Sequence, residues 1–228
     1  MKKRKKLLLW DIDGTLISTA GAGICAFLKA ASRLYGMEAT IDGIPCAGRT
    51  DTKIAVDMLK KYGVEITEPN IQNLLQAYIE ELPGELPRYQ GKVFPGVLEI
   101  LRQSQQRGDI VTGLLTGNLA RGAELKLSHY KIWQYFSFGA FADDSANRNE
   151  LGPIALKKAH AQYGIQFSPE NVYIIGDTPH DIECAQAIHA HSIAVATGGY
   201  KSEHLSPHNP TVLWENLQNT SQFFNLME

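Results

Sequence analysis

Asp11 and Asp13 stand directly after the apolar run Leu7-Leu8-Leu9-Trp10 and are followed by Gly14 and Thr15. If extended backbone continues past that run, the two carboxylates share a face and Ile12 turns away from them. Carboxylates this close repel unless a cation lies between them or one holds a proton. A hard divalent ion with oxygen ligands removes the conflict. Magnesium fits best, because it takes one or two protein carboxylates and leaves its other positions to water and phosphate. Gly14 lets the backbone turn closely round such a site.

Two other polar clusters follow apolar runs in the same way. Ile110 to Leu115 leads into Thr116-Gly117-Asn118, and Val172 to Ile175 leads into Gly176-Asp177-Thr178-Pro179-His180-Asp181. Asp181, four residues beyond Asp177, can point the same way from the first turn of a following helix. Asn118 reads equally as a phosphate contact or a helix N-cap.

The three apolar runs read as fully buried strands ending in polar loops. Weaker strand candidates are Ser137 to Phe141, Ser192 to Ala196 and Thr211 to Trp214. Amphipathic patterns separate them, over Gly96 to Arg107, Leu119 to His129, Pro153 to Tyr163 and Pro179 to Ala190. Strands alternating with helices predict an open α/β fold, a parallel sheet covered on both faces. Ligands of such sheets bind beyond the carboxyl ends of the strands. Asp11, Asp13, Thr116, Asn118 and Asp177 all fall there. Between about Ser18 and Gln90 the rhythm changes to consecutive helices, Ala22 to Tyr35, Thr52 to Tyr62 and Glu68 to Glu81. The punctuation Pro83-Gly84, Pro87 and Pro95-Gly96 is read as loop. This stretch is expected to be an all-helical insertion over the sheet.

Asp11-Ile-Asp-Gly-Thr15 with Leu16, then Thr116, then Gly176-Asp177-Thr-Pro-His-Asp181, resembles the haloacid dehalogenase-like hydrolases, within them the phosphoglycolate-phosphatase-like branch. The resemblance runs from about Leu7 to Gly199. It implies a Rossmann-like α/β core of residues 1–17 and 91–228 with a helical cap of residues 18–90. It also implies a Mg2+-dependent phosphatase. Asp11 is the expected nucleophile, forming an aspartyl phosphate. Asp13 is expected to protonate the leaving oxygen and then activate water, its backbone carbonyl binding the metal. Thr116, Gly117 and Asn118 are expected to hold phosphoryl oxygens. Asp177 completes the metal site with Asp11, and Asp181 lies in it or just outside.

The family places a lysine or arginine before the helix that precedes the third strong strand. The common Lys-Pro pattern is absent. Arg148, in the loop before Pro153, is the first choice, and Lys157 is the alternative, projecting back from the helix. In the cap, Arg49 and Thr50 of Ala47-Gly48-Arg49-Thr50-Asp51 fall where related enzymes close a loop over substrate. Arg49 either pairs with a second anionic group, a carboxylate or phosphate, or is a plain exposed arginine beside a Thr50 or Asp51 helix cap.

Composition narrows the partners. A formal net charge of -2 and a pI near 6.4 provide no positive field for nucleic acid. The basic run Lys2 to Lys6 precedes too short an apolar stretch for a secretory leader, and no run is long enough for a membrane helix. Three widely spaced cysteines suggest neither disulfides nor zinc. The expectation is a cytoplasmic monomer or homodimer acting on a small phosphorylated metabolite, possession of a cap arguing against protein substrates. A phosphomutase or phosphotransferase acting on a sugar phosphate is the alternative. Dehalogenation needs neither Asp13 nor the metal carboxylates, and a receiver-type module phosphorylated on Asp11 explains neither Asp13 nor a cap.

Overall fold

A computed structural model describes residues 5–228. Of the basic run, Lys2, Lys3 and Arg4 lie outside the described residues.

The first apolar run forms β1 (Lys6–Trp10). It is followed by β2 (Ile17–Ser18), then the helices α1 (Ala22–Tyr35), α2 (Asp51–Lys61) and α3 (Glu68–Glu85), then β3 (Lys92–Val93). The remaining elements are α4 (Val97–Gln106), β4 (Ile110–Leu115), α5 (Ala120–His129), β5 (Gly139–Ala140), α6 (Arg148–Tyr163), β6 (Val172–Gly176), α7 (Pro179–Ala187), β7 (His191–Val195), α8 (Ser202–Leu205), β8 (Val212–Trp214) and α9 (Thr220–Asn225). Six strands make one sheet in the order β5-β4-β1-β6-β7-β8, every neighbouring pair parallel.

Side chains of β1 alternate between two hydrophobic cores, which is why Leu7 to Trp10 is apolar without interruption. Leu8 and Trp10 pack with Ile100 and Leu101 of α4, Leu127 of α5 and Phe223 of α9. Leu7 and Leu9 pack on the other face with Leu151 and Ala155 of α6 and Cys184 of α7. The chain first builds outward from β1 through β4 to β5, then returns to the far side of β1 with β6. That reversal of direction opens a crevice beyond the carboxyl end of β1. In the register, Trp10 lies opposite both Leu114 and Ile175, so Asp11, Thr116 and Asp177 emerge side by side.

The helices α1, α2 and α3 enclose a hydrophobic cluster of their own, in which Phe27 stacks on Tyr78 with ring centroids 3.8 Å apart. The chain enters and leaves this helical unit through the antiparallel pair β2 and β3, Ile17 opposite Val93.

Two helices differ from expectation. The loop expected at Pro83-Gly84 is the last turn of α3, where Leu82 and Leu86 are buried and Glu85 accepts from Lys29. Apolar anchoring on both sides outweighs the single hydrogen bond that the proline removes. Likewise α6 starts at Arg148 and not at Pro153, because Asn147 accepts from the Asn149 amide and caps it.

Candidate active site

Past β1 the Asp11 amide still donates to the Ile175 carbonyl (2.9 Å), so the first aspartate is fixed by the sheet itself. The chain then folds on the Ile12 carbonyl, which accepts from Leu16 at 2.9 Å and Ile17 at 3.1 Å. Gly14 adopts a φ of +88°, and a Cβ there would lie 2.3 Å from Asp177 Oδ2. Gly198 presses on the same oxygen from the opposite side, a Cβ there being 1.7 Å away. Asp177 thus sits in a slot that only glycines can wall. Its Oδ1 accepts from the Thr15 hydroxyl at 3.1 Å.

Asp11, Asp177 and Asp181 are all buried, with carboxylate oxygens within 4.8 Å of one another. Asp181 closes a capping box at the start of α7, its Oδ2 accepting from the Thr178 amide (3.0 Å) and hydroxyl (2.7 Å), while Oδ1 accepts from Arg148 Nη2. Both of its oxygens thereby have protein donors. The same Nη2 is 3.1 Å from Asp11 Oδ1. Arg148 Nη1 donates to the Gly48 carbonyl of the helical unit at 3.4 Å, and its buried Nε has no partner.

Burial raises the Asp11 carboxyl to about 6, against Arg148, which pulls it down. Burial also raises Asp177 well above its ordinary range, reinforced by Asp11 and Asp181. For Arg148 burial opposes the charge, yet Asp181 and Asp11 outweigh it and hold the guanidinium above its usual value.

Arg148, not Lys157, supplies the cation beside Asp11. Lys157 lies on the exposed face of α6, well past its first turn, and touches none of these groups. Arg148 does so from the first turn of that helix and not from a loop before it. Thr116 is fully buried and hydrogen-bonds Asp11. Asn118 caps no helix; its Nδ2 donates to Thr116 Oγ1 and Asp13 Oδ2, both at 2.9 Å. Its side chain is therefore spent on protein partners. Gly117 faces the helical unit so closely that a Cβ would lie 2.2 Å from the Arg49 carbonyl, and its own carbonyl accepts from the Asp51 amide at 2.7 Å. Thr50 is corrected as a ligand contact. Its hydroxyl accepts from Lys53 to cap α2 and donates to the Ala146 carbonyl at 2.9 Å, away from the main cavity. Arg49, half-buried, lines that cavity, with no ion pair among the described residues.

Two groups escaped the sequence reading. Lys126 of α5, buried, donates to Asp13 Oδ2 at 2.6 Å and Asn118 Oδ1 at 2.5 Å. Asp51, the first residue of α2, accepts from the Leu119 amide at 2.8 Å and is raised to about 7 by burial, with Lys126 opposing. The available signal was the flanking pattern of Lys126, which shares the buried stripe of α5 with Ala123 and Leu127.

The cavity holds about 290 Å³. Its floor is Asp11, Asp13, Asp177, Arg148 and Lys126, and its roof is Ile24, Phe27, Ile54 and Tyr78 of the helical unit. The carboxyl groups Asp11, Asp13, Asp51, Asp177 and Asp181 outnumber the cations Arg148 and Lys126 beside them. The excess favours a divalent cation, and an all-oxygen donor set suits Mg2+.

The sequence profile described as haloacid dehalogenase-like hydrolase matches residues 8–195. The chain belongs to that family. It is a phosphoric monoester hydrolase, similar to phosphoglycolate phosphatases. Phosphoglycolate phosphatase 1 of Pseudomonas aeruginosa is 24% identical over 93% of this chain and 77% of its own. The N-acetylmuramic acid 6-phosphate phosphatase of the same organism is 26% identical, over 86% and 84%. The crystal structure of CbbY from Rhodobacter sphaeroides in complex with phosphate shares the fold, with a TM-score of 0.77 at 15% identity, covering 94% of this chain and 96% of that one. Among the described residues no helix is long and apolar enough to cross a membrane.

Proposed function

We propose that this hydrolase removes phosphate from a small carboxylate-bearing phosphate monoester, with Asp11 as nucleophile and Mg2+ as cofactor. The observation that carries the reading is the pairing of Asp11 with Arg148 on the floor of the cavity, a carboxylate able to attack phosphorus beside a cation able to meet phosphoryl charge.

Asp11 with Asp177 would hold Mg2+, joined by the Asp13 carbonyl, with Asp181 orienting Arg148 behind them. When bound, the ion would supply charge neutralisation to the carboxylates and to the phosphoryl group. The chain's own groups do the rest. A carboxylate oxygen of Asp11 attacks phosphorus, the ester P–O bond breaks, and Asp13 delivers a proton to the departing oxygen. Water then attacks the aspartyl phosphate, Asp13 takes its proton, and the P–O bond to Asp11 breaks to free phosphate. Arg148 meets the equatorial charge in both steps. The roof of α1, α2 and α3, within residues 18–90, works as a cap that keeps bulk water out while the reaction proceeds.

Arg49 and cavity size support the substrate class. A cavity of about 290 Å³ is at the small end for ligand sites. Its roof carries one cation, Arg49, suited to a carboxylate, while Asp51 on the same side is already engaged by the Leu119 amide. Both relatives named above act on phosphate esters of carboxylic acids, by their names. Phosphoglycolate is the simplest candidate. The free cysteines Cys25, Cys46 and Cys184 support a cytoplasmic location.

Phosphate release from a panel of small esters, with and without Mg2+, for the wild type and Asp11→Asn, tests this. Mg2+-dependent release that Asp11→Asn abolishes is expected. Absence of release from every ester, or isomerisation of a sugar phosphate instead, would replace the reading with a mutase.

A further inference from the structure

Lys126 has no part in the reaction as written, yet its placement is costly. It crosses the apolar stripe of α5 between Ala123 and Leu127 and ends buried at the cavity floor. A lysine kept only for stability would be replaced there by an apolar side chain with little loss.

An ammonium has three donors. Two of those of Lys126 meet Asp13 Oδ2 and Asn118 Oδ1, which fixes its direction. Asn118 Nδ2 reaches the same Asp13 Oδ2 at 2.9 Å. Two donors therefore converge on one oxygen of Asp13. Its Oδ1 has no partner among the described residues, and the side chain remains open to the cavity.

We propose that Lys126 is the positioning residue for proton transfer: it anchors Oδ2 of Asp13, so that Oδ1 alone carries the proton to the leaving oxygen and takes it back from water. The inference rests on the role given to Asp13 above. Asn118 aligns the lysine and the aspartate together, its Oδ1 accepting from the first and its Nδ2 donating to the second. Atoms balance as before: the proton on Oδ1 passes to the ester oxygen as its bond to phosphorus breaks, and the water proton returns to Oδ1.

A graded series of substituted phenyl phosphates tests this through kcat/KM. p-Nitrophenolate departs without a proton, whereas the phenolate of phenyl phosphate needs one. Lys126→Met should lose about 10²-fold more on phenyl phosphate than on p-nitrophenyl phosphate, matching the differential of Asp13→Asn. Asn118→Leu, which spares the lysine but removes the second donor to Oδ2 of Asp13 and one acceptor of the ammonium, should shift the same way by roughly threefold to tenfold, and serves if the methionine variant does not fold. An equal loss on all esters, or none, overturns the proposal while leaving the phosphatase reading intact. A wild type that releases phosphate from no ester overturns the role of Asp13 and, with it, this inference.

Discussion

Nη2 of Arg148 lies 3.1 Å from Oδ1 of Asp11 and bonds Asp181 with the same nitrogen. One guanidinium therefore ties the nucleophile to the start of α7. Arg148→Met leaves two buried carboxylates without their counter-charge. We expect kcat/KM to fall by about 10³-fold, and stability to fall by about 3 kcal/mol. Lys157→Ala, on the exposed face of α6, should leave kcat/KM within about twofold. Steady-state kinetics and urea unfolding of the two variants check both expectations.

Stability should depend on pH in the sense opposite to that of a salt-bridged carboxylate. Asp11 rises from 3.8 to about 6, Asp51 from 3.8 to about 7, and Asp177 rises well above 3.8, in each case first through burial. A folded pKa above the unfolded one means that the native state keeps protons the unfolded chain has released. The contribution is complete below about pH 4 and is lost as pH rises through 6 to 7. The Asp11 shift alone corresponds to about 3 kcal/mol. Without Mg2+ the melting temperature should therefore fall between about pH 5 and pH 7.5, and Mg2+ should raise it more at the higher pH. Melting curves in chelator and in millimolar Mg2+ decide it; a flat profile in chelator would contradict the assignment.

Arg49 offers a test of substrate class that leaves the chemistry alone. Arg49→Ala should raise KM for phosphoglycolate by about tenfold to 10²-fold. For an uncharged alkyl phosphate it should change KM little. Equal effects on both would remove Arg49 from recognition of a carboxylate.

Gly117 seats the helical unit on the sheet. A methyl group at this position would meet the Arg49 carbonyl at 2.2 Å and strain the bond from the Asp51 amide to the Gly117 carbonyl. Gly117→Ala should hasten hydrogen exchange at the start of α2 and raise KM, with global stability lowered by about 1–3 kcal/mol. Exchange followed by mass spectrometry reads the first effect directly.

The strands that matter were legible because burial on both faces requires apolar residues without interruption, and Leu7 to Trp10, Ile110 to Leu115 and Val172 to Ile175 have that form. Polar residues following such runs must lie at strand ends, which brought Asp11, Thr116 and Asp177 together on paper. The cation at Asp11 was narrowed to two, since either position on one helix can be written as pointing inward; packing of α6 decides for Arg148. Lys126 was hidden for a different reason. A lysine in an amphipathic helix reads as its solvent face, and only the partners at the far end of its side chain, Asp13 from a distant segment and Asn118 before the helix, make burial tolerable. The last turn of α3 was lost because Pro83-Gly84 carries a strong local signal for a turn, while Leu82 and Leu86 anchor it through contacts that are not local. Thr50 and Asn118 show the same limit at the level of one side chain. Type and position suggested a ligand contact, but hydroxyl and amide were already committed to neighbours.

The slot around Asp177 has a consequence for synthesis. Its walls come from Gly14 near one end of the chain and Gly198 near the other, with Asp177 itself on the loop after β6. The slot is therefore closed only after five of the six sheet strands have been made, when a glycine from the far end of the chain meets one from near its start.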